Sequence, residues 1–250
     1  NLGSVLIVNG KQNEHYISEI QHVRRRETIA MTPANCHTAL LALIKNSTFT
    51  ISPSKVELNK KIVTDEILTI TGAQTMPLVG SSGLSMQYAI MMGLVDFAQE
   101  NHQGKPIKFI VPPNCYGGTN DQARRVAACI KNVEVIDLHV DRENDMTQSI
   151  DVILDEIAIQ NAVPFIIAEI PTNPRVEVPD LKQLKAVLEQ KRKTTLNGHA
   201  ISPVFVFDHT FCPNTQFLDS VELFSQVKAI SYVSGSKFPS VGPCPAGYCV

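Results

Sequence analysis

No apolar run in the sequence approaches the ~20 residues that a helix needs to cross a bilayer, so a membrane-spanning protein is not expected. No stretch with a charged start and an apolar middle opens it. Charge of one sign is also missing: 22 basic against 24 acidic residues give a formal net charge of −2. That balance offers nothing to attract nucleic acid or an anionic membrane. The one basic cluster, Arg24-Arg25-Arg26, reads as a solvated helix face. The six cysteines are scattered without CxxC spacing, and the seven histidines show neither HxxxH nor HExxH. Neither disulfides nor a metal site is therefore expected, and reduced thiols point to a cytoplasmic location. Repeats and low-complexity tracts are absent as well.

What is there suits one sizeable core: 250 residues, 44% of them hydrophobic and 18% charged. From about Leu78, short apolar runs alternate with stretches of helical period. The runs are MPLVG (76–80), IKFIV (107–111), VEVIDL (133–138), FIIAEI (165–170), VFVFD (204–208) and AISYV (229–233). Helices are expected near 84–100, 119–131, 148–161, 180–193 and 219–226, and GYCV starts a seventh strand. Strands apolar on both faces and separated by helices predict an α/β fold. Its right-handed crossovers make three layers, α/β/α, around a mostly parallel, about seven-stranded sheet. Residues 1–75 read differently. HYISEIQHVRRRE and CHTALLALIK look helical, and NSTFTISPSKVELNKK looks like a polar, turn-rich connector. The expected division is a helical N-terminal segment and connector, then a large domain over 76–250.

Ligands of open parallel sheets sit at the carboxyl ends of the strands. Five strands each deliver a candidate there. Ser82-Gly83-Leu84 opens a helix, whose free amides suit a phosphate. Tyr116 precedes two glycines and can lie across a flat ligand. Asn173 stands between Pro171 and Pro174, with Glu169 at the strand end. Asp208 ends an apolar strand, where an unpaired carboxylate is costly and needs a cationic or donor partner. Lys237 follows Ser234 and Ser236. Singly, each is matched by a bland reading: a turn, a cap, a half-buried ring. Together they are the parts that hold pyridoxal 5′-phosphate, with Lys237 as the Schiff-base lysine and Asp208 keeping the pyridine nitrogen protonated.

With these residues the sequence resembles the pyridoxal-phosphate enzymes of cysteine and methionine metabolism. That family includes cystathionine γ-synthase, cystathionine β-lyase, methionine γ-lyase and O-acetylhomoserine sulfhydrylase. The family's Y-G-G-T is matched by Tyr116 to Thr119, and its E-T-P-S-N-P is similar to Glu169 to Pro174. Its S-G-M turn looks like Ser82-Gly83-Leu84, its D-N-T-F like Asp208 to Phe211, and its S-A-T-K like Ser234 to Lys237. The resemblance implies the large domain of the aspartate-aminotransferase-like fold type I. It implies phosphate contacts from Gly83, Leu84, Ser234 and Ser236, and Tyr116 on the ring. Asn173 would lie near the ring hydroxyl, with Asp208 at the ring nitrogen supported by Thr210. Glu169, Gly117 and Gly118 would be scaffold. Lys237, Tyr116 and Asp208 would carry catalysis.

Two family features have no counterpart. No Y-x-R-x-x-N-P-T segment, which serves a neighbouring subunit's phosphate, precedes Ser81. No C-terminal domain with a substrate-carboxylate arginine follows Lys237, so the expectation is a fragment truncated at its C-terminus that binds cofactor weakly. The expected activity is elimination or replacement at the β or γ carbon of an amino acid such as cystathionine, methionine or an O-acylhomoserine. The expected partners are that small substrate and further copies, as a homodimer or homotetramer. An aminotransferase, and a non-catalytic assembly domain of the same fold, remain open.

Overall fold

The computed structural model describes residues 7–18, 20, 33–46, 48, 55–141, 145–195, 198–217, 227–237 and 246–250. Within them lie α1 (Pro33–Lys45), α2 (Val56–Thr71), β1 (Leu78–Gly80), α3 (Gly83–Asn101), β2 (Ile107–Val111), α4 (Gly117–Cys129) and β3 (Val133–Asp137). There follow α5 (Met146–Gln160), β4 (Val163–Glu169), α6 (Leu181–Glu189), β5 (Val204–Asp208), β6 (Lys228–Ser234) and β7 (Gly247–Cys249). The strands form a seven-stranded sheet in the order β1-β7-β6-β5-β4-β2-β3. Pairs from β3 across to β6 are parallel, and β7 runs antiparallel between β6 and β1.

Every residue of β2, β4 and β5 is buried, because helices cover both faces. Successive side chains alternate between two cores. Phe109, Phe165, Ile167 and Val206 join Met91 and Val95 of α3 and Ala123 of α4 on one side. Ile110, Ile166, Phe205 and Phe207 join Ile150 of α5 and Leu184 of α6 on the other. The three layers read from the apolar runs are the observed architecture.

Some boundaries moved, for physical reasons. FIIAEI extends back to Val163, since pairing with β2 begins at Ile107↔Val163. Pro164 costs no bond to β5, whose pairing starts only at Phe165. Helix α6 stops at Glu189 rather than running to 193. Beyond it the Arg192 guanidinium reaches Asp151 and Asp155 of α5 and donates back to the Val187 carbonyl near the helix end. The polar "connector" is in part a helix. Residues from Val56 form α2, supported by a Lys61–Asp65 pair one turn apart and ended by left-handed Gly72 at φ 68°. The helix expected at 219–226 and the arginine cluster at 24–26 lie outside the described residues, as does most of HYISEIQHVRRRE.

The short β7 backs the start of α3 at backbone contact. A Cβ on Gly247 would lie 2.7 Å from Gly83 Cα and 2.8 Å from Gly83 N. Gly247→Ala is therefore expected to destabilise the chain by about 1–3 kcal/mol, read as a lower urea midpoint at unchanged m-value. An unchanged midpoint would mean that β7 does not press on α3 in solution.

Candidate functional site

The crevice opens where the strand order reverses, β3 lying on one side of β2 and β4 on the other, at the carboxyl edge of the sheet. All ten residues singled out as cofactor contacts line one pocket there, with about 600 Å³ of empty space, part of it open to solvent. Glu169, Phe211 and Tyr232 line it too.

Helix α3 supplies the anion-facing wall. Ser82 is its N-cap: its hydroxyl accepts from Ser85 N at 3.0 Å, and Ser85 Oγ accepts from Ser82 N at 3.0 Å. The capping box leaves the Gly83 and Leu84 amides over, since first-turn N–H groups find no partner inside a helix. The Ser234 and Ser236 hydroxyls, 2.9 Å apart, stand beside them. A side chain on Gly83 would collide with Ser234, so the cradle requires glycine at this position. These donors fit a phosphate, but all are neutral. Lys237 is the only basic side chain lining the pocket among the described residues.

The ring-sized part of the pocket is set by β4 and β5. Asp208 is buried, and its Oδ1 accepts from Thr210 N at 3.0 Å and Thr210 Oγ1 at 2.5 Å. Thr210 Oγ1 in turn accepts from Ser234 N at 2.9 Å, tying β5 to the lysine loop. Asp208 Oδ2 takes no hydrogen bond from any described residue. Burial pushes the carboxyl up to about 6, against the Thr210 hydrogen bonds and the Lys237 charge that favour the anion.

Glu169, expected as scaffold, lines the pocket beside Asp208. It stands opposite Asp208 in the register of β4 and β5. Its Oε1 accepts from Tyr116 N at 2.7 Å, while Oε2 is buried without a hydrogen-bond partner among the described residues. Burial raises Glu169 to about 7, and the Asp208 charge adds to this, while the Tyr116 and Asn173 amides pull the other way. The Tyr116 ring rests against Gly118, where a Cβ would lie 2.5 Å from the ring edge. Lys237 Nζ is 5.6 Å from the ring centroid.

His209, which stands in place of the family's asparagine, points away from the pocket. Its Nε2 lies 2.5 Å from Ser231 Oγ and its Nδ1 3.3 Å from the Cys212 carbonyl, and burial pushes the imidazole down to about 4. The sequence reading missed Tyr232 altogether. Its signal was the two-residue period that sets Tyr232 and Ser234 on one face of β6. A larger apolar groove, about 1070 Å³ of empty space, lies between α3 and the β6–β7 end of the sheet, where Lys228 is the lone charged side chain among the described residues. Among the described residues no group of three or more metal-ligating side chains occurs, and no helix is long and apolar enough to cross a membrane.

The raised carboxyls make stability depend on pH. Both folded values lie above the ~4 of free carboxyls, so the native state keeps protons that the unfolded chain has already released. The stabilisation is complete below about pH 4 and is lost as pH rises through about 7. Glu169→Gln is expected to flatten this fall by roughly 2–3 kcal/mol, read from urea unfolding across about pH 4 to 8. A variant that follows the wild-type curve would mean that Glu169 titrates normally.

No family model matches the sequence, and no curated protein matches it. Solved structures do. The cystathionine gamma-lyase CalE6 of Micromonospora echinospora superposes with a TM-score of 0.50 at 17% identity, covering 76% of this chain and 42% of that one. MetB of Corynebacterium glutamicum gives 0.48 at 18% identity, over 75% of this chain and 40% of that one. The chain thus spans about two fifths of the length of these proteins. At such identity the likeness to the lyase is one of fold: the α/β architecture with its seven-stranded, mostly parallel sheet.

Proposed function

We propose that this chain is the cofactor-binding domain of a pyridoxal-phosphate enzyme of sulfur amino-acid metabolism, acting by elimination or replacement at the β or γ carbon. One observation carries the reading: Lys237, the buried Asp208 carboxyl and the α3 anion cradle face a single pocket. A half-satisfied buried carboxyl, a ring-sized space and a phosphate-sized set of donors suit the three ends of that one cofactor. The sequence likeness and the shared fold with the lyase CalE6 point the same way.

In this reading Gly83, Leu84, Ser234 and Ser236 bind the phosphate, and Tyr116 covers the ring. Asn173 orients the ring hydroxyl. Asp208 holds a proton at the ring nitrogen, a cation that would relieve its own burial. The bound cofactor supplies electron withdrawal from the substrate Cα. Lys237 Nζ would hold the cofactor's aldehyde carbon at rest and, once the substrate amine has taken its place there, would be free to move the Cα proton. Tyr116 Oη would exchange a proton with the leaving group. The neutral cradle favours one addition: a dianion there wants a cation, and a second copy in a homodimer or homotetramer is the source we propose. The aminotransferase reading would show itself as activity that depends on an added keto acid.

The test is chemical. Incubation with pyridoxal phosphate should turn the protein yellow, and borohydride should bleach it and leave the label on Lys237. Folded protein labelled at another lysine would contradict the assignment. Asp208→Asn is expected to leave the melting temperature unchanged or raised, since it removes a buried charge. The same change should slow Cα-proton exchange of bound amino acids about tenfold or more, followed in deuterated water. Near-normal exchange would remove Asp208 from the reaction. Keto-acid release from cystathionine, methionine and O-acetylhomoserine then separates the candidate substrates.

A further inference from the structure

Tyr232 has no part in the function proposed above, yet its side chain ends in that site. The residue is only 3% exposed, and its ring packs in the core beneath α3. Its hydroxyl reaches the pocket wall, where a Cβ on Gly83 would sit 2.8 Å from it and would overlap Ser234 Oγ. Both hydroxyls therefore converge on Gly83, the first residue of α3, whose amide the helix leaves unused. Among the described residues nothing hydrogen-bonds the Tyr232 hydroxyl. A phenylalanine would fill the same core space but would present no donor to the pocket. Burial and the nearby Asp208, Tyr116 and Glu169 hold the phenol well above its ordinary range, so it remains a donor at any working pH.

We infer that Tyr232 is a phosphate-binding residue, its Oη donating a hydrogen bond to a phosphoryl oxygen of the ligand seated at Gly83, Leu84, Ser234 and Ser236. The inference rests on the ligand proposed above and deepens it. The cradle grips the phosphate with five neutral donors from two elements, the start of α3 and strand β6 with its following turn.

The experiment compares pyridoxal phosphate with pyridoxal, which has the same ring but no phosphate. Affinities are measured on the 250-residue chain by absorbance titration, for wild type and Tyr232→Phe. The variant should bind pyridoxal phosphate about tenfold or more weakly, the worth of a hydrogen bond to a charged group, and pyridoxal unchanged. Equal affinities of variant and wild type for pyridoxal phosphate would overturn the inference, as would equal losses for both ligands. A wild type that binds pyridoxal phosphate no better than pyridoxal would overturn the phosphate cradle itself, and the Tyr232 assignment with it. Should the variant fail to fold, the wild type labelled with ¹³Cζ-tyrosine decides. The chain has five tyrosines, and replacing the other four one at a time assigns the resonances. The Tyr232 signal should move with pyridoxal phosphate and stay still with pyridoxal; a signal indifferent to both would overturn the inference.

Discussion

A carboxylate at the end of a strand buried on both faces is the constraint around which this site is arranged. Asp208 satisfies one oxygen with the Thr210 amide and hydroxyl, while the other takes no hydrogen bond from any described residue. Alone, such a group drifts toward its neutral form, as its value near 6 shows. At neutral pH the anion still prevails, at a desolvation cost that a cation or strong donor would relieve. The pocket is therefore built with a standing demand for a positively charged ligand atom. Lys237 meets that demand only in part, from a turn on the next strand.

In the proposed reading, the rest of the edge keeps that atom in register with a phosphate. The Thr210 hydroxyl links Asp208 to the Ser234 amide, so the buried carboxyl and the serine side of the α3 cradle share one hydrogen-bonded path. Glycines then allow elements to meet at backbone distance: Gly83 against Ser234 and Tyr232, Gly247 against Gly83, Gly118 against the Tyr116 ring. None of these glycines is explained by turn geometry alone. Each removes a side chain at a contact that sets where the ligand can lie.

The fold was legible because burial on two faces leaves a plain mark. IKFIV and VFVFD are apolar throughout and became β2 and β5 with the boundaries read from sequence. The topological rule then pointed to the carboxyl ends, and the residues found there do share one pocket. Less legible were features whose cause is tertiary. Helix α2 has a polar sequence, and its helical state shows locally only in an i,i+4 ion pair and a closing glycine. The neighbouring of Glu169 and Asp208 was not legible, because it exists only in the β4–β5 register. His209 was read inside a motif, but strand alternation turns it to the opposite face, onto Ser231 and Phe217. Gly247 and Tyr232 gave no local signal stronger than an ordinary strand residue.

The central claim is that Asp208 exists to hold a protonated ring nitrogen, and the state of that nitrogen can be observed directly. Pyridoxal phosphate labelled with ¹⁵N in the ring, bound to the chain, reports protonation through its chemical shift. The account predicts a protonated nitrogen in the wild type from neutral to mildly alkaline pH, and a neutral one in Asp208→Asn under the same conditions. A nitrogen that is unprotonated in the wild type, or equally protonated in both proteins, would contradict it.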